Sequence, residues 1–151
     1  MLRMTALIAT TLLSVGSLAA SAAEVSVADP YARAVPPGQP NSAAFMALSN
    51  EGKEARALVA ARSDAAEVVE LHTHIMDDGM MKMRRIDKID LPAGETVALK
   101  PGGLHIMLIG LTHRLAPGEE VGLRLVFDDG DEQSVTAPVR KIDMSQMKHG
   151  H

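Results

Sequence analysis

The chain has 151 residues, 15 basic against 19 acidic side chains and a formal net charge of −4, which is enough length for one domain with a real core. Its aromatic residues are Tyr31, Phe45 and Phe127 alone, and no basic patch alternates with them, so there is neither a stacking platform nor a positive groove for single-stranded nucleic acid. Cysteine is absent, which removes disulfides, thiolate nucleophiles, Cys-type zinc sites and the His2Cys kind of blue-copper centre.

The first segment, MLRMTALIATTLLSVGSLAASAAE, has a basic start at Arg3, an apolar stretch from Thr5 to Leu18 and then small residues. Ala20-Ser21-Ala22 offers an A-x-A cleavage site, with Ser21-Ala22-Ala23 as the near alternative. The apolar part is shorter than the roughly 20 residues that span a bilayer, so residues 1–22 read as a cleaved signal peptide and not as a stable membrane insertion. The chain from Ala23 onward carries 14 basic and 19 acidic residues, a net charge of −5.

Beyond the signal, short branched and apolar runs are broken by turn residues about every 8–12 positions, the pattern of an all-β sandwich or barrel. Strands are expected at Glu24–Val27, Ala43–Ser49, Arg56–Ala61, Glu67–His74, Met80–Arg85, Thr96–Leu99, Leu104–Ile109, Val121–Phe127 and Ser134–Val139. The Asp77-Asp78-Gly79 run suits a tight hairpin, and Pro101-Gly102-Gly103 turns the chain just before His105. Residues 23–140 form a single β domain on this reading, and the last eleven, KIDMSQMKHGH, lose the β pattern and read as a flexible Met/His-rich tail.

Strand side chains two apart share a face, so His72 with His74, Met81 with Met83, and His105 with Met107 make same-face pairs on three strands. Leu104, Ile106 and Leu108 fall on the face opposite His105 and should anchor their strand in the core. Imidazole and thioether are borderline and soft ligands, and no carboxylate accompanies them in these pairs; a His2Met2 set of this kind favours Cu(I) over zinc, magnesium or manganese. For the rest the plainer reading holds: Met46, Met76 and Met80 as gap-filling core, and His113, with His74 despite its pairing, as surface or structural residues.

The spacing has a precedent. His72, ten residues, Met83, twenty-one residues, then His105-Ile106-Met107 resembles the signature of the PCuAC family of periplasmic copper chaperones. VELH before His72, GMMKMR around Met83 and LPAGETVALKPGGLHIML leading into Met107 are similar as well. The resemblance covers Glu24 to Val139. It implies a Greek-key, cupredoxin-like β-sandwich or barrel in the periplasm, binding Cu(I) through His72, Met83, His105 and Met107. It also implies delivery to the CuA centre of cytochrome c oxidase, in subunit II, directly or with thioredoxin-like copper chaperones. Met81, beside Met83, stands as a competing ligand, and the tail resembles Met/His-rich extensions in part of the family. Met144, Met147, His149 and His151 could therefore form a second, looser site preferring Cu(II).

A carrier fits better than an enzyme, because no nucleophile is paired with a base and a fully protein-ligated site has no open position. A cupin-like metalloenzyme is the enzymatic alternative, since HTH and PGGLH are similar to its two His-bearing strands. That superfamily also expects a Glu after the first His pair, where IMDDGM has only aspartates. A copper-buffering protein without a dedicated recipient is the third reading.

Overall fold

The computed structural model describes residues 24–142. The signal segment and the tail residues Met144, Met147, His149 and His151 lie outside the described residues. Ten strands follow one another: β1 (Val25–Arg33), β2 (Asn41–Asn50), β3 (Arg56–Arg62), β4 (Ala66–Asp77), β5 (Met80–Arg85), β6 (Ile89–Leu91), β7 (Thr96–Leu99), β8 (His105–Leu111), β9 (Glu120–Phe127) and β10 (Glu132–Arg140). Hydrogen bonding runs in the order β5-β4-β8-β2-β1-β10-β9-β3-β6, with β7 also on β2.

The parallel pairing of β1 with β10, at Ala32 with Val139 and Arg33 with Arg140, links two antiparallel halves. Leu48, Leu71, Ile106 and Leu108 from one half meet Leu58, Leu91, Leu123 and Leu125 from the other in a single core. The all-β expectation holds, and the β9 alternation is as expected, with Val121, Leu123, Leu125 and Phe127 buried.

Two departures have local causes. The first strand does not stop at Val27, because a register shift between Ala28 and Tyr31, with Asp29 at φ 49°, lets the chain pass Pro30 and resume pairing. The three-residue β6 was not expected; Ile89 and Leu91 are buried around an exposed Asp90, a run too short to show a period.

What matters for function is the β5-β4-β8 end. Asp78 and Gly79 have φ of 51° and 76°, the two left-handed positions of a primed hairpin turn, so β4 and β5 pair without a bulge. Every residue of β5 is exposed, as befits a strand at the end of the sheet path. By contrast β8 lies between β4 and β2, with Ile106 and Leu108 fully buried.

Truncating the β8 anchor should therefore cost far more than trimming β5. Ile106→Ala is expected to lower the unfolding free energy by about 2–5 kcal/mol, and Lys82→Ala, which loses only an exposed ion pair with Asp77, by less than about 1 kcal/mol; urea titration of both variants checks this.

Candidate metal centre

Register decides which side chains meet. On β4 and β8, His72 lies opposite His105 and Glu70 opposite Met107; on β4 and β5, His74 lies opposite Met83 and Met76 opposite Met81. Directly opposed residues project to the same face of a sheet, as do residues two apart. One face therefore carries Glu70, His72, His74 and Met76 from β4, Met81 and Met83 from β5, and His105 and Met107 from β8. Leu71 and Ile106, also paired, go to the core on the other face. The four residues singled out by spacing, His72, Met83, His105 and Met107, share this face, and the His72 and His105 rings stand 5.8 Å apart.

The hydrogen bonds set the imidazole tautomers. His105 Nδ1 lies 3.0 Å and His74 Nδ1 3.3 Å from the same Gly103 carbonyl oxygen, which can only accept. Each ring thus donates through Nδ1 and leaves the Nε2 lone pair available. His72 is held the other way. Its Nε2 donates to the Glu70 carboxylate at 2.7 Å, while its Nδ1 is buried with no hydrogen-bond partner. A buried, unpartnered ring nitrogen is costly unless a further electrophile, such as a metal ion, completes it. The carboxylate behind the ring is the usual second partner of a metal-bound histidine.

His74, Met81, Met83, His105 and Met107 line a cavity of about 310 Å³ together with Ala43, Phe45 and Arg33, whereas His72 is not among its lining residues. Exposure is graded across the strands: His105 is 2% exposed, His72 and Met107 are half-buried, and Met83 is 53% exposed. Among the described residues no three His, Asp or Glu side chains converge as a metal-holding group, so a centre here needs the thioethers.

His74, read as a surface or structural residue, is half-buried and bonded to the Gly103 carbonyl; it also borders the cavity, with its ring 5.2 Å from that of His105. Met76 and Met80 are not core filling; they are 66% and 64% exposed, because the hairpin tip extends past the body of the sandwich. Met46 is core, at 2% exposure, and His113 is exposed and bonded to Thr112 well away from this face. Glu70 escaped notice although alternation with His72 and His74 places it on the same side. Gly103, whose carbonyl orients two rings, had no signal beyond its turn.

The family model of LpqE-like lipoproteins matches residues 25–139. The chain belongs to the LpqE-like family. It is 36% identical over 104 residues to Lxx21020 of Leifsonia xyli subsp. xyli, and 35% identical over 100 residues to RP573 of Rickettsia prowazekii. These matches take in 68% and 66% of this chain but only 63% and 55% of those relatives' lengths. Among solved structures, apo-DR1885 from Deinococcus radiodurans is 32% identical, with a TM-score of 0.63 over 94% of this chain and 95% of that one. Its Cu(I) form is 36% identical, with a TM-score of 0.58 over 76% of this chain and 78% of that one. The copper-bound PCuAC domain from PmoF2, at 23% identity, has a TM-score of 0.68 over 80% of this chain and 95% of that one. The fold of this LpqE-like chain is thus the cupredoxin-like one of PCuAC domains.

Burial holds the His105 imidazole below the ordinary value of 6.5, against the Gly103 carbonyl, which favours the charged ring; His74, His72 and Arg33 add to the lowering. The unfolded chain takes up this proton near 6.5 and the folded one only at lower pH. The resulting stability is complete above about 6.5 and is lost as pH falls towards the folded value. The urea midpoint of the metal-free protein should drop between about pH 7.5 and pH 5.5, and drop less in His105→Asn.

Proposed function

We propose that this protein is an exported copper carrier that holds Cu(I) through His72, Met83, His105 and Met107. The observation that carries the reading is the buried, unpartnered Nδ1 of His72 on the face it shares with His105 and two thioethers. Each donor suits the ion. Thioether sulfur is neutral and polarizable, and neutral imidazole completes the set without adding charge, so Cu(I) is preferred over harder divalent ions. Thioethers also cannot pair as disulfides where thiols would. The copper-bound and Cu(I)-bound forms of similar PCuAC proteins support the choice of metal.

The graded exposure suits carriage better than catalysis. His105, Met107 and His72 stand on strands fixed by the core, while Met83 sits on the exposed strand, where an incoming ligand from a recipient can replace it. A deeply buried His105 with a lowered proton affinity remains a neutral ligand further into acid than an exposed histidine would. On this reading, the signal segment takes the chain to the periplasm. The recipient is the CuA centre of cytochrome c oxidase subunit II, reached directly or through thioredoxin-like chaperones. Copper buffering without a recipient would use the same four ligands.

Anaerobic Cu(I) titration against a chromophoric chelator tests the site. The Met83→Leu/Met107→Leu double variant should bind at least about 100-fold more weakly, roughly 1.4 kcal/mol for each tenfold step; unchanged affinity would sink the assignment. For the tail, stopping the chain after Lys141 should remove one weaker, Cu(II)-preferring equivalent and leave the Cu(I) equivalent in place, as read by Cu(II) titration and electron paramagnetic resonance.

A further inference from the structure

We propose that His74, Met76 and Met81 form a second, outer Cu(I) site on the β4–β5 hairpin, beside the inner set and resting on that reading for the identity of the ion. The starting point is an exposure that packing does not explain. Met76 is 66% and Met81 55% exposed, on a strand pair at the end of the sheet. Large apolar side chains on an exposed edge bury nothing and invite association, so edges usually carry charge instead.

The register gives these side chains a common target. Met76 and Met81 are directly opposed across the hairpin, and His74 precedes Met76 by two on the same face. Opposed Cβ atoms in such a pair lie about 4.5–5.5 Å apart, and the methionine side chain has three rotatable bonds, so both sulfurs can reach one point above the sheet. The His74 ring, donating through Nδ1 to Gly103, keeps Nε2 for a ligand. One imidazole and two thioethers make a soft set suited to Cu(I). Met80, equally exposed, does not belong to it, since it lies opposite Asp77 on the other face.

The two sites are contiguous. His74 and Met81 border the inner cavity, whereas Met76 does not, and Met83 is opposed to His74. An ion held by His74, Met76 and Met81 is therefore one ligand exchange from Met83. The outer set is open to solvent and has one imidazole fewer, so it fills after the inner one and gives up copper faster.

The test is Cu(I) titration of the protein labelled with 13C at the methionine methyls, each signal assigned to its residue so that tail methionines are read separately. The first equivalent should shift Met83 and Met107, and the second should shift Met76 and Met81 together with the His74 ring. If Met83 and Met107 respond while Met76 and Met81 keep their metal-free positions beyond two equivalents, the outer site is wrong and the inner one stands. If Met76 and Met81 respond while Met83 and Met107 do not, the outer site stands and the inner reading falls. Met76→Leu, a change at an exposed position, should weaken the second binding event by about tenfold or more and leave the first within about twofold. A second event of unaltered strength in that variant would overturn the proposal.

Discussion

The carbonyl of Gly103 is the point on which the site turns. It accepts from Nδ1 of both His105 and His74, and so decides for two rings which nitrogen is turned to the cavity. That oxygen is placed by a tight turn: Gly102 at φ 83° reverses the chain, and Gly103 N donates back to Lys100 O at 2.9 Å. Lys100 N in turn donates to Leu104 O at 2.9 Å, so the turn closes directly onto the start of β8. In the other tautomer each of these two rings would present an N–H in place of the Nε2 lone pair, however close it stood. Backbone geometry thus sets chemistry here before any ligand arrives.

The second constraint is the division of labour between faces. Within β8, Ile106 and Leu108 are fully buried in the core, while His105 and Met107 look the other way into the cavity. The strand cannot slip by one residue without driving an imidazole into the core and an isoleucine into the site. Pairing with β2 puts the small Ala43 opposite Met107, and Phe45 borders the cavity with its ring 6.3 Å from that of His105. The apolar core therefore works as a register clamp for the polar site.

Much of this was legible in the amino-acid string. The period of two assigned His105, Met107, Ile106 and Leu108 to their faces, and the Asp78-Gly79 turn fixed the hairpin that sets Met83 opposite His74. What the string hid was long-range. His74 meets Gly103, 29 residues away, only because β4 pairs with β8, and no local pattern announces that pairing. Met76 and Met80 look like core filling because composition shows a methionine cluster but not that its strand ends the sheet path. Glu70 was hidden for a different reason: a carboxylate is not a soft ligand, and only its 2.7 Å hydrogen bond with His72 Nε2 ties it to one.

The exposed β5 strand then raises its own question of how a methionine-rich edge avoids pairing with another chain. Its charged residues answer in part, Lys82 and Arg84 on the other face and Arg85 opposite His72. Lys82 and Arg84 alternate with the methionines, and Arg85 follows them, so an approaching strand would meet three cations in six residues. Lysine and arginine on an edge oppose strand addition by charge and by the cost of burying them. The two requirements separate by parity: odd positions Met81 and Met83 face the His-bearing side, even positions Lys82 and Arg84 face away. A strand built only to finish the sheet would need the charges and could do without the thioethers. That both are present, alternating from Met81 to Arg84, is what makes β5 a working face and not merely a boundary.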